Sequence, residues 1–447
     1  MDKPFITVAA ATAQDSSAAD HDGDATPGGA AFLASAPATV LPAPQVSFIP
    51  TPTAPYRMHR KTVQLVVEPG RPTGSEQPPV PLPYAFGARV LIWKQDPSVG
   101  DIGTRKAFLP GIVLAGPRDA RIASGTPGIH PVAPNAFGDF VTSPGTPQFD
   151  AVHTFSVVRQ TLTMYQRALA MAGHETPLPW NWNAEDNTEP LRVFPYGLPN
   201  VMNAYYSRDE SCLRFGDFVP SGQKSRVYTC RSLDIVAHET GHAVLDGLKP
   251  NWILSNQPPQ TGALHEAFGD LTAIFLTLSQ LDQCEAIIAQ TKARLHDKTF
   301  LADIAEQFGL ALGRPNGLRN ADNDISLSEA GVEVHALSQV FTGALYDILA
   351  DLFAFERRPG ALDDALVLHD AGDYLRGLLL RALLAAPDDG ASFADVANQM
   401  LAIAAADQKA PDYLAFIRNR FTLREVLAAP DPVDAVSLAA GAPLPAG

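Results

Sequence analysis

Cysteine is scarce in this chain, and the three present, Cys212, Cys230 and Cys284, make an odd number at no metal-like spacing. A disulfide-stapled scaffold is therefore excluded; three free thiols in a reducing compartment are expected, with one Cys212 to Cys230 bridge as the alternative. Positive charge is also short, since 33 Lys and Arg face 48 Asp and Glu for a formal net charge of −15. No basic field exists to displace counterions from phosphates, so non-specific nucleic-acid binding is excluded and anionic membrane surfaces are disfavoured. No apolar run reaches the roughly 20 residues needed to span a bilayer. The opening Met1-Asp2-Lys3-Pro4-Phe5 lacks a charged segment running into a continuous apolar one, so no Sec signal is visible and a cytoplasmic rather than secreted protein is expected. No internal repeat is visible.

What the chain does have is length and apolar content: 447 residues at 46% hydrophobic can bury a substantial core. Residues 1–83 are the exception, rich in Ala, Pro, Ser, Thr and Gly, and they read as a largely disordered or pro-segment-like leader. Within it Met58–Glu68 alternates like a strand. From 84 to 246 short β-like runs such as Ala88–Trp93 and the section Leu191 to Tyr228 dominate, interrupted by a helical stretch from Phe149 to about Ala172. From 247 to 430 the pattern is helical, with segments near 262–280, 282–295, 300–312, 335–355, 369–385, 391–406 and 411–428. A flexible tail follows at 431–447. This order predicts an α+β fold of two lobes, a β-rich N-terminal one ending in a central helix at the cleft and a mainly α-helical C-terminal one.

That central helix carries His238-Glu239-Thr240-Gly241-His242. Two histidines four apart leave one helix face a turn apart, so both imidazoles can close on one cation while Glu239 reaches its open side. Leu233, Val236, Ala237, Val244 and Leu248 supply apolar faces, Asp234 suits the helix N-terminus, and Gly247 with Pro250 supplies a stop. A catalytic zinc usually takes three protein ligands and leaves a position for water, so a third ligand is sought downstream. Glu266 is the best candidate, with Asp270 four residues on, on the same face, to orient a ligating histidine. His153, His174, His296 and His369 have no partner at useful spacing and read as structural or solvated.

The run Asp234 to Val244 followed by Gly-Ala-Leu-His-Glu-Ala-Phe-Gly-Asp at 262–270 resembles the zinc-binding core of the thermolysin-like family of gluzincin metallopeptidases. Asn203-Ala204-Tyr205-Tyr206 resembles that family's substrate-binding edge strand, Gly331 to His335 its transition-state histidine segment, and Leu318-Arg319-Asn320 its substrate-carbonyl arginine segment. The resemblance covers roughly 145–430. It implies one catalytic zinc held by His238, His242 and Glu266, with Asp270 behind. It also implies Glu239 as general base, His335 as donor to the developing oxyanion, and Asn203, Ala204 and Arg319 as substrate-positioning groups.

The implied activity is a zinc-dependent endopeptidase acting on peptide or protein substrates. The family's oxyanion tyrosine has no counterpart between His242 and Glu266, where Trp252 is the nearby aromatic. His265 stands where Asn is usual and reads as a surface or loop-packing side chain. Thr277 replaces a calcium carboxylate, so the argument for structural calcium is weak. The missing tyrosine and unusual leader motivate an alternative, a catalytically weak zinc-binding pseudoprotease that binds peptides or proteins. Oligomeric state is left open.

Overall fold

The computed structural model describes residues 87–100, 102–124, 131–174, 177–182, 189–315 and 317–428. The leader, its Met58–Glu68 stretch and the tail lie outside the described residues. Ala88–Trp93 alternates buried and more exposed positions, as a half-buried strand must, and forms β1, paired antiparallel with β2 (Thr104–Leu109). A second sheet runs in the order β3 (Ile122–Ser124), β4 (Leu191–Pro199), β6 (Cys212–Phe218), β5 (Ala204–Ser207), with β7 (Val227–Tyr228) also pairing with β6. β3, β4 and β6 are mutually parallel, whereas β5 and β7 run antiparallel to β6. β5 therefore ends the sheet as an edge strand, with Ala204 opposite Phe215 and Ser207 opposite Cys212.

Ten helices complete the fold among the described residues: α1 (Pro147–Met171), α2 (Leu233–Leu248), α3 (Pro259–Leu278), α4 (Leu281–Thr291), α5 (Glu306–Ala311), α6 (Leu327–Ala330), α7 (Val334–Glu356), α8 (Asp364–Ala385), α9 (Phe393–Ala406) and α10 (Pro411–Leu423). Their ends follow local chemistry. Thr146 caps α1 by accepting from the Phe149 amide at 3.2 Å, with Pro147 at the first helical position. Ser232 does the same for α2, and Glu333 caps α7. The fold is thus mixed α+β, with strands preceding the helical half apart from one short pair.

That pair corrects an expectation. The stretch 300–312 reads as one helix, yet only Glu306–Ala311 is helical; Asp303–Ile304 forms β8 and pairs antiparallel with β9 (Arg319–Asn320). Pairing with a distant strand overrides local helical propensity. Likewise α4 stops at Thr291 instead of 295, where Lys292 and Ala293 adopt positive φ, and α8 starts five residues before the expected 369. Cys212, Cys230 and Cys284 are all free and buried, without the alternative bridge.

A continuous hydrophobic core joins β1 (Val90, Ile92), α1 (Phe155, Val158, Leu162), α2 (Val236, Val244), α3 (Phe268, Phe275), α7 (Phe341, Leu345) and the last helices (Phe393, Phe421). α2 packs against α1, α3 and β5, and α3 packs against α7, so both helices of the expected metal site lie inside this core. Among the described residues no helix is long and apolar enough to cross a membrane.

Candidate metal centre

The two helices approach each other closely because glycine faces glycine between them. A Cβ on Gly241 would lie 2.7 Å from Thr272 Oγ1 and 3.1 Å from the Gly269 Cα. One on Gly269 would fall 2.7 Å from two atoms of the His238 ring, closer than real Cβ atoms come. The HETGH helix can therefore sit directly on the helix bearing Glu266 and Asp270, and buried side chains from both meet.

His238, His242 and Glu266 converge there, with one ligand atom of each within 4.8 Å of the others. His238 Nε2 lies 3.5 Å from one Glu266 oxygen and His242 Nε2 lies 3.6 Å from the other. All three residues are almost fully buried, at 4%, 6% and 2% exposure. Even so, both Nε2 atoms and Glu266 Oε2 have no hydrogen-bond partner in the protein. Buried polar atoms are ordinarily paired, and a cation between them would satisfy all three at once. Two imidazoles and a carboxylate are also a donor set that zinc accepts, so the residues present fit the implied ion.

Outer partners hold His238 and His242. Asp270 Oδ1 stands 2.9 Å from His238 Nδ1, leaving Nε2 facing the cluster. Asp270 is itself gripped by Arg319, whose Nε and Nη2 donate to its two oxygens at 2.8 and 2.6 Å. Arg319, expected at the substrate, thus stands behind His238 with two of its nitrogens on Asp270. Burial pushes the Asp270 carboxyl up, but Arg319 and His238 outweigh it and hold it below the usual carboxylate range.

His265 corrects a second expectation. It is 5% exposed, not a surface group, and its Nδ1 lies 2.7 Å from Nδ1 of His242. Burial, with the nearby His238 adding to it, lowers its proton affinity to about 4 against the opposing pull of Asp246 and Glu266, so it is neutral at pH 7. No pattern rule finds this partnership, because it depends on how α2 and α3 cross.

Glu239 lines a narrow cleft together with Tyr205, Tyr206, His242, Trp252, Ile253, His265 and Glu266. Its Oε2 has no partner. Burial first, then the Glu266 charge, raise its carboxyl to about 7 against the lowering effects of His238, Arg319 and the Tyr206 amide. A carboxylate so placed can give and take a proton near neutrality. His335, near the start of α7, turns Nε2 to within 3.6 Å of Glu266, while its Nδ1 is held by Glu333 at 2.5 Å. Glu333, which also caps α7, went unnoticed in the sequence.

Asn203 and Ala204 sit at the start of β5, where Asn203 Oδ1 accepts from the Ala204 amide at 2.9 Å. Tyr205 and Tyr206 of that strand both line the cleft. Tyr206 Oη donates to Asp246 at 2.7 Å, and Arg208 closes on the same carboxylate through Nε. Trp252 does line the cleft, but its indole N–H is taken up by the Pro387 carbonyl at 3.1 Å and cannot stand in for the absent tyrosine.

A second cluster of possible ligands, His296, Asp322 and Asp347, escaped the spacing argument. Arg424 already bonds Asp347 at 3.0 Å there. Comparison with known protein families finds no match, and neither does comparison with curated proteins.

Proposed function

We propose that this chain is a zinc-dependent endopeptidase of thermolysin-like type, with β5 and α2 forming the cleft between a β-rich and a helical lobe. The observation that carries the reading is the set of unpartnered, buried ligand atoms of His238, His242 and Glu266 beside Glu239, whose own oxygen is free at the cleft. A structural metal site has no use for a buried carboxylate on its open side.

His238, His242 and Glu266 would hold the zinc, which would supply Lewis-acid polarisation of a water molecule and of the scissile carbonyl. Glu239 takes the proton of the attacking water and delivers it to the leaving amide nitrogen, as its proton affinity near neutrality allows. In its doubly protonated form His335 donates from Nε2 to the carbonyl oxygen as charge builds there, while Glu333 accepts from Nδ1–H and fixes the ring. An extended peptide lies along the edge strand β5, where main-chain groups, Asn203 and Ala204 hold its backbone. Tyr205, Tyr206 and Ile253 give the cleft an apolar wall beside the scissile bond.

Purified protein is expected to carry about one zinc per chain and to cleave an internally quenched peptide, with cleavage lost to a chelator. Glu239→Gln should keep its zinc while activity falls by about 10²–10⁴-fold; an equally active variant removes Glu239 from the chemistry. The second reading, a peptide-binding pseudoprotease, is favoured by the turned-away Trp252 indole and the aliphatic Ile253 at the cleft. Bound zinc with no turnover on any peptide library would select it.

A further inference from the structure

We propose that His265 is a positioning residue for the metal centre and, through its other nitrogen, a fixed hydrogen-bond donor to a peptide carbonyl in the cleft. The proposal rests on the reading of His238, His242 and Glu266 as a zinc site. Nδ1 of His242 and Nδ1 of His265 are 2.7 Å apart, much closer than the 4.9 Å between ring centroids, and the planes differ by 26°. Contact is therefore at the nitrogen-bearing edges.

Two nitrogens at hydrogen-bond distance share one proton, and a neutral imidazole carries only one. A His242 that offers its Nε2 lone pair to a cation has its proton on Nδ1, and it donates that proton to His265 Nδ1. His265 must then carry its own proton on Nε2. That atom is buried, without a partner in the protein, on a residue that lines the cleft beside Tyr205, Tyr206 and Ile253.

Asp246, one turn beyond His242, is already engaged by Tyr206 and Arg208. A desolvated N–H without an acceptor is unfavourable, and an incoming oxygen relieves it. The carbonyl oxygens of a peptide lying along β5 are acceptors of the right kind. The same contact that orients the metal ligand thus presets a substrate contact.

Two variants separate the roles. In His265→Asn the amide oxygen occupies the place of Nδ1, so His242 keeps its acceptor, but nothing reaches the position of Nε2; His265→Leu lacks both. Zinc affinity, read by competition with a chromogenic chelator, should stay near the parent value in H265N and weaken by about 10–100-fold in H265L. At zinc saturation kcat/KM on a quenched peptide should drop roughly tenfold in H265N, mostly through KM.

An H265L that binds zinc as the parent does overturns the positioning role, and an H265N with the parent's kcat/KM overturns the donor role. Thermal melts of both variants identify a folding defect, and H265N keeps the donor role testable should H265L fail to fold. A parent that binds no zinc sinks the metal-site reading and this inference together. A parent that binds zinc but cleaves nothing sinks the endopeptidase reading and the donor role, and the zinc affinities then decide the positioning role alone.

Discussion

His335 carries the transition-state side of the proposed site. Trp252 is bonded elsewhere, and Ile253 offers no donor, so the expected outcome for His335→Ala is a loss of about 10²–10³ in kcat, the usual effect of removing one oxyanion donor. KM and zinc content should change little. A variant with unchanged kcat would move the oxyanion contact to another group. The resemblance of Gly331 to His335 to the thermolysin-like segment pointed to His335, but not to Glu333 as the group that orients it. That pairing follows from Glu333 being the cap of α7, which bends the chain so that its carboxylate reaches both the Ala336 amide at 2.8 Å and the imidazole.

At the scale of elements, the site is a product of one helix pair, α2 on α3, backed by β9. Asp270→Asn tests that backing. Zinc affinity should drop by on the order of 10–100-fold, because the neutral amide polarises His238 less. Stability should drop as well, by about 3–5 kcal/mol, since Arg319 would be left as a nearly buried, uncompensated charge. Wild-type zinc affinity with lowered melting temperature would make Asp270 a packing partner of Arg319 only. The helices themselves were readable from apolar spacing, caps and Pro/Gly stops. β8 and β9 were not, because a two-residue strand has no periodicity of its own and exists only through its partner.

Across the whole molecule, a trio of acidic side chains ties distant parts together: Asp96 after β1, Asp234 in the first turn of α2, and Glu306 opening α5. Burial raises the proton affinity of all three, and for Asp234 and Glu306 repulsion from the neighbouring acids adds to it. Asp96 Oδ2 and Glu306 Oε2 also lack partners. Protons are held in the folded state over a pH range where the unfolded chain has lost them, so the folded state binds more protons than the unfolded. Stability from this trio is then fully present below the ordinary carboxylate range and declines as pH rises above it. Glu306→Gln should flatten that decline, giving a smaller loss of melting temperature between pH 5 and pH 8 than the parent shows. A variant as pH-sensitive as the parent would show that Glu306 ionises freely.

The sequence by itself determined the α+β order, the helix carrying both histidines, and the Glu266/Asp270 face, because each rests on local periodicity and spacing. Only the tertiary structure decided that glycines at 241 and 269 let the two helices touch and that His265 meets His242. It also decided that Arg319 grips Asp270 and that Trp252 turns its indole away from the cleft. These are contacts between residues far apart in the chain, and their distances are set by how packed elements cross, which no local pattern encodes.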